Sequence, residues 1–231
     1  MAYLNGGRIV LDGLVLALDA GDKNSYPGSG ATWSDYSGFG YNGTLTNGPT
    51  FSNTNGGTIV LDGTDDYIQN SSFTLNPNTS GFTYESVITS TTINTSYPGY
   101  RMLVGMAGSG NFYGILVEGD SRGYRLDVPD STTRIGYTTN ISISANTITH
   151  VTWSWLNGVF KFYLNGTLQA NSNQGAYSAP TITAIRFGYA YAGANYYWYG
   201  SHYLARMYNR ALSDAEVLQN YNATKSRFNL I

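Results

Sequence analysis

Cysteine is absent from the 231 residues, and charged side chains make up only 11% of them. No apolar run approaches the ~18 residues that a membrane-spanning helix needs. The first absence excludes disulfides and thiolate metal sites and removes any need for an oxidising compartment. With a formal net charge of −2, the scarcity of charge leaves no basic footprint for nucleic acid and no polybasic segment for an anionic membrane. Neither is expected as a partner. The opening residues 1–8 lack the charged and apolar regions of a signal peptide, so the product is expected to stay in the cytoplasm where it is made unless it leaves inside a particle.

What is present is strand chemistry. Around Thr58-Ile59-Val60-Leu61 the branched side chains suit a pleated, buried surface, and Asp62-Gly63 ends the run. Tyr67-Ile68 restarts the alternation, so residues 58–69 read as a hairpin. Asp65 and Asp66 then sit at a strand mouth, where they can close the turn or collect a cation. The string Ile-Val-Leu-Asp-Gly occurs at 9–13 and again at 59–63. Its flanks do not repeat, so residues 8–20 read as a separate strand pair broken at Asp12-Gly13. Residues 21–57 read as a long glycine-rich loop with one or two short strands, which Trp33 and Phe51 are expected to pin.

From Phe82 onward, Phe82, Tyr84, Ser86 and Ile88 share one face and Thr83, Glu85, Val87 and Thr89 the other. Strands follow at about 101–106, 112–118, 123–128 and 148–155. Asn157-Gly158 and Asn165-Gly166 join three strands into a meander. One helix stands out: Ser213 with Glu216 makes a capping box and Leu212 with Val217 a hydrophobic staple, which predicts a helix over 214–221 docked by Val217, Leu218 and Tyr221. The whole chain, 1–231, reads as one all-β domain with an N-terminal arm at 1–8. Its architecture is a two-sheet antiparallel β-sandwich of jelly-roll type with one short C-terminal helix.

The D-G-x-x-D-Y-[IV] string at Asp62 to Ile68 resembles the laminin-G-like branch of the concanavalin A-like lectin/glucanase superfamily. Residues 13–20, 25–30, 33–38 and 41–45 are similar to the opening of such domains in tailed-bacteriophage virion proteins. Tyr163-Leu164-Asn165-Gly166 and Tyr208 to Ser213 resemble the late strands and closing helix. The resemblance implies a virion protein, as a capsid decoration, head fibre or tail fibre module, that contacts other virion proteins or host surface glycans and forms a homo-oligomer. A free carbohydrate-binding, lectin-like protein is the alternative, and a glycoside hydrolase the third reading.

Glucanases of that superfamily space their carboxylates E-x-D-x-x-E along one strand, so that period 2 puts nucleophile and acid/base on one face. Here Glu118-Gly119-Asp120 begins the pattern and Gly123 stands at the acid/base position. Gly119 to Gly123 also matches G-x-S-x-G, but strand rather than helix follows, so it reads as a hairpin tip. His150 and His202 have no third donor nearby for a transition metal. No catalytic residue and no enzyme activity are expected. Oxygen-rich turns at Asp19, Asp22 and Asn24, or at Asp62, Asp65 and Asp66, suit a structural Ca²⁺.

The candidate recognition segment is 189–203, with Tyr191, Tyr196, Tyr197, Trp198, Tyr199 and His202 as binding residues. A strand pair cannot bury that many rings, since alternate residues face outward. Tyr and Trp offer stacking area with a polar tip, which suits sugars and protein interfaces alike. Half of the rings filling the sandwich is the competing reading.

Overall fold

The computed structural model describes residues 7–91, 100–108, 111–118, 123–129, 134–141, 144–176, 178–190 and 196–230. Sixteen strands run in chain order: β1 Leu14–Asp19, β2 Thr32–Trp33, β3 Gly43–Thr46, β4 Thr50–Ser52, β5 Thr58–Asp62, β6 Tyr67–Asn70, β7 Phe82–Ser90 and β8 Arg101–Gly108, then β9 Asn111–Glu118, β10 Gly123–Pro129, β11 Arg134–Thr138, β12 Thr149–Leu156, β13 Val159–Leu164, β14 Thr167–Asn173, β15 Ile182–Phe187 and β16 Tyr199–Tyr208. Helix α1, Asp214–Phe228, follows. One eight-stranded antiparallel sheet has the order β14-β13-β12-β7-β16-β5-β4, with β1 also on β16; the other has the order β11-β10-β9-β8-β15-β6-β3-β2. The expected sandwich is thus what forms.

Alternation fills the space between the sheets. Val151, Trp153 and Trp155 of β12 and Phe82, Tyr84 and Ile88 of β7 meet Ile115, Val117, Tyr124, Leu126, Ile185 and Phe187 of the opposite sheet. Each such side chain contributes about 1.5–3 kcal/mol by leaving water. The meander is also present. Asn157 and Gly158 (φ 47° and 83°) and Asn165 and Gly166 (φ 47° and 74°) take the left-handed conformations that a tight hairpin turn demands.

Four local expectations are corrected. Residues 58–69 are not a hairpin: β5 pairs with β16 and β4, whereas β6 pairs with β3 and β15. The acidic turn carries the chain from one sheet to the other, so Ile59, Leu61 and Ile68 enter the core from opposite sides. Residues 8–20 hold a single strand, β1, whose antiparallel partner is β16. Among the described residues of the segment 189–203, strand begins only at Tyr199.

The fourth correction concerns the helix. It runs seven residues past Tyr221, to Phe228. Asn220, Asn222 and Thr224 are poor helix formers, which is why sequence periodicity fades there. Tertiary contacts override them: the Thr224 hydroxyl donates to the Asn220 carbonyl at 2.5 Å, and Phe228 packs with Val87, Tyr203 and Leu204. Leu218, expected as a docking residue, is instead 46% exposed. The capping box and the staple hold: Ser213 N–H donates to Glu216 Oε2 at 2.8 Å, and Leu212 packs with Val217. Trp33 is fully buried and Phe51 tilts onto Tyr26 at 5.4 Å, so both pin the long loop.

Candidate functional site

Ile68 and Phe187 point into the sandwich, so the pleat turns Tyr67 and Gln69 of β6 and Arg186 of β15 to the outer face. The ladder sets Thr44, Gln69, Arg186 and Gly105 in one row across β3, β6, β15 and β8. The chain leaving β15 then folds back over this row. A Cβ on Gly105 would lie 2.5 Å from the Tyr189 carbonyl oxygen, so only glycine lets that backbone lie directly on the sheet.

The result is a platform of three tyrosines. Tyr189 and Tyr197 stack at 4.4 Å between centroids and 6° between planes, and Tyr67 leans on Tyr189 at 5.5 Å. The Arg186 guanidinium lies 5.2 Å from the Tyr67 ring centre and 5.4 Å from that of Tyr189, and its Nε donates to Gln69 Oε1 at 2.7 Å. Beside it runs a groove of ≈ 380 Å³ lined by Gly40, Asn42, Thr44, Thr46, Tyr67, Gln69 and the 70–72 segment. Every lining side chain is uncharged, and most carry a hydroxyl or an amide.

Of the six residues predicted from sequence, Tyr197 belongs to the platform. Tyr196 packs edge-on against Tyr100 at 5.1 Å, beside Met102, Leu116 and Ala190. Tyr199 is 37% exposed and pairs with Asp62 across the ladder. Tyr191 lies outside the described residues. Trp198 and His202 are removed from any contact surface, because both are fully buried. Trp198 is an anchor: its indole N–H donates to the Thr89 carbonyl at 3.2 Å, its backbone N–H to Gly188 at 2.8 Å, and Met102 N–H reaches the Tyr196 carbonyl at 3.1 Å.

His202 lies between Phe187 and Trp198, at 6.0 and 6.2 Å, and neither ring nitrogen has a hydrogen-bond partner among the described residues. Burial pushes its pKa down from 6.5 to about 3. Above pH 6.5 both folded and unfolded chains hold it neutral. As pH falls below that, only the unfolded chain takes up the proton, so stability drops by about 1.4 kcal/mol per pH unit. Urea melts should therefore show about 2 kcal/mol less stability at pH 5 than at pH 7 from this group. His202→Phe should flatten that slope; an unchanged slope would mean another group causes it.

Tyr67, Gln69 and Arg186 are site residues that sequence reasoning missed, and Tyr189 was noticed only as one ring among many. The available signal was the outward phase of β6 and β15. What it could not give is that these two strands are neighbours.

The acidic turn adjoins the platform. The Tyr197 hydroxyl is pushed above its usual range by burial first, then by Tyr189 and the Asp65 carboxylate. Asp62, Asp65 and Asp66 bring carboxylate oxygens within 4.8 Å of one another. Asp62 is held low, chiefly by the Thr64 N–H, whereas burial and the two neighbouring charges raise Asp66. Hard oxygen donors under mutual repulsion fit a Ca²⁺-type cation, so this triad could hold one. The other proposed cluster does not converge. Arg227 Nη1 occupies both oxygens of Asp19 at 2.7 Å, and Asp22 accepts from Asn24 N–H at 2.9 Å.

Two of the three glutamates are otherwise engaged. Glu85 is fully buried: Arg206 Nη1 donates to it at 2.5 Å, His150 Nε2 at 3.0 Å and Asn220 Nδ2 at 2.6 Å. Burial alone would raise its pKa; the Arg206 charge, His150 and Asn220 outweigh that and bring it down to about 2. Glu216 is held at about 2, mainly by Arg210 at 2.6 Å. Glu118 faces Gly123 across the β9–β10 ladder, and Asp120 lies outside the described residues.

Residues 62–218 match the family model described as the concanavalin A-like lectin/glucanases superfamily. No curated protein matches the chain by sequence. Among solved structures, the chain resembles the botulinum neurotoxin serotype G binding domain, with a TM-score of 0.70, 15% identity and coverage of 92% of this chain and 51% of that one. It resembles domain 4 of AbnA, a GH43 extracellular arabinanase from Geobacillus stearothermophilus in complex with arabinotriose, with a TM-score of 0.65, 18% identity and coverage of 90% and 98%. Trypanosoma rangeli sialidase in complex with sialic acid gives a TM-score of 0.65, 16% identity and coverage of 93% and 33%. This chain thus spans about half of the toxin domain and a third of the sialidase. At such identities the likeness establishes the fold.

Proposed function

The chain belongs to the concanavalin A-like lectin/glucanases superfamily, and we propose that it is a non-catalytic glycan-binding module working as a structural and adhesive part of a tailed-phage virion. The observation that carries the glycan reading is the continuity of an outward tyrosine platform with an uncharged groove lined by hydroxyls and amides. Sugar rings present apolar faces to aromatic rings and hydroxyls to polar groups, and the lining supplies both. The groove lining is uncharged and the adjoining Arg186 guanidinium is already engaged by the Tyr67 and Tyr189 rings and by Gln69, which favours a neutral sugar, since a buried unpaired charge on either side would cost affinity.

Absence of catalysis is supported by the carboxylates. Retaining hydrolysis needs two carboxyl groups about 5–5.5 Å apart with one protonated. Glu85 and Glu216 are ion-paired and held ionised, and Glu118 has glycine opposite it. Asp66 approaches Asp62, but it is 4% exposed and accepts from the Asp62 N–H at 3.1 Å, so it faces inward.

The virion setting rests on the resemblance of residues 13–45 to the opening of phage virion domains. A homo-oligomer goes with it, because repeating one shallow groove raises avidity without new contacts. A glycan array on the purified protein, with Tyr67→Ala and Tyr197→Ala, tests the site. Each variant should weaken binding at least tenfold, while Lys23→Ala leaves it unchanged. Retained binding in both tyrosine variants, or silence on every glycan, overturns the site. Co-purification with virions separates the virion reading from that of a free lectin-like protein.

A further inference from the structure

One mouth of the groove is set by Tyr67 and Thr46, which pair across β6 and β3; Gln69 and Thr44 pair in the middle; Asn70, Asn42 and Gly40 close the far end. From Tyr67 to Asn70 the strand advances about 10 Å, so the groove is elongated along β6. At its far end, next to Gly40, stands Phe39, 58% exposed and stacked on Tyr41 at 6.1 Å and 13°. Tyr41 in turn is propped edge-on by Phe73 at 5.0 Å.

Phe39 is not a stray apolar residue on a loose loop. Gly38 (φ 101°) and Gly40 (φ 76°) turn the chain on either side of it. Asp35 then holds the turn in place: its carboxylate accepts from Ser37 N–H at 2.9 Å, from the Ser37 hydroxyl at 2.8 Å and from Tyr41 N–H at 3.0 Å. The Asn42 side chain closes the loop by accepting from Asp35 N–H at 2.8 Å. The stack on Tyr41 leaves more than half of the Phe39 ring open to solvent, and a pre-ordered aromatic contact lowers the entropy cost of binding.

We propose that Phe39 is a second stacking subsite, and that the groove binds an extended stretch of a neutral polysaccharide rather than a single terminal sugar. One sugar ring lies on the Tyr67–Tyr189–Tyr197 platform, the intervening units lie over the polar floor of Thr44 and Gln69, and a later ring lies on Phe39. This rests on the glycan reading above and adds the ligand's form to it. It makes affinity depend on chain length, which a single-sugar site would not.

The test is titration calorimetry with size ladders, from two to six units, of β-1,3-linked and β-1,4-linked gluco-oligosaccharides and α-1,5-linked arabino-oligosaccharides. In the wild-type protein the longest members of the ladder that binds should bind at least tenfold tighter than its disaccharide. Phe39→Ala should erase that difference, leaving disaccharide affinity unchanged and the protein folded, whereas Tyr197→Ala should weaken every length. Length-independent affinity, or a length dependence that survives Phe39→Ala, overturns the extended site while leaving the glycan reading intact. Silence of every ladder overturns both.

Discussion

Glu85→Ala should destabilise the protein by about 3–5 kcal/mol, the range for removing one partner of a buried ion pair. Glu85 is fully buried on β7, and Arg206 on β16 has no water to fall back on, being 2% exposed. Without the carboxylate the guanidinium stays buried and uncompensated. Asn220 and His150 lose the acceptor that ties α1 and β12 to the same point. At roughly 2–4 °C per kcal/mol for a chain of this size, the melting temperature should fall by about 6–20 °C. The group also sets acid behaviour. Its folded pKa is depressed from 4.5 to about 2, so its contribution is whole above pH 4.5 and is lost as pH falls through about 2. His202 acts from about pH 6.5 down to about 3, so the two windows overlap between pH 4.5 and 3, and the His202→Phe background isolates the Glu85 contribution there. A Glu85→Ala variant within 1 kcal/mol of wild type, taken as roughly the worth of a neutral hydrogen bond, would refute the network's role.

Trp198→Ala should cost about 3–5 kcal/mol, as for other buried tryptophans cut to alanine, and should abolish glycan binding although the side chain touches no ligand. The indole fills the core and pins residues 196–198 through its N–H bond to the Thr89 carbonyl, whereas the bond to Gly188 comes from the Trp198 backbone and does not depend on the side chain. Losing it frees Tyr197 from its 4.4 Å stack on Tyr189. Trp198→Phe keeps most of the apolar volume and forfeits the N–H bond, so it should fold and bind at reduced affinity. Calorimetry and urea melts on both variants decide the matter. Full binding by a folded Trp198→Ala protein would show that the platform needs no anchor.

Much of the fold is legible from residue order because its cues are local. The two-residue phase of Val151, Trp153 and Trp155 against His150, Thr152 and Ser154 names an inner and an outer face without reference to any partner. Asn-Gly at 157 and 165 supplies left-handed conformations that few other pairs reach, and Ser213 with Glu216 starts a helix by bonding its own backbone. The absence of cysteine and of a basic surface is equally a property of composition. For the binding surface, the count of rings in 189–203 pointed to the right neighbourhood but not to the right residues.

Pairing is where locality ends. Of the string Ile-Val-Leu-Asp-Gly, the first four residues lie in strand β5 at 59–62 between β16 and β4, yet the copy at 9–13 lies outside any strand, with Val10 held by Asn220 and Tyr208. A strand exists only where another chain segment completes its ladder, and for β5 one of those partners, β16, lies 137 to 143 residues away. The sequence by itself determined which side chains face in, which turns are tight and which chemistries are missing. Only the tertiary structure decided that β6 lies beside β15, that Arg186 meets Tyr67 and Tyr189, and that Trp198 turns inward, because each depends on contacts between segments that no local periodicity encodes.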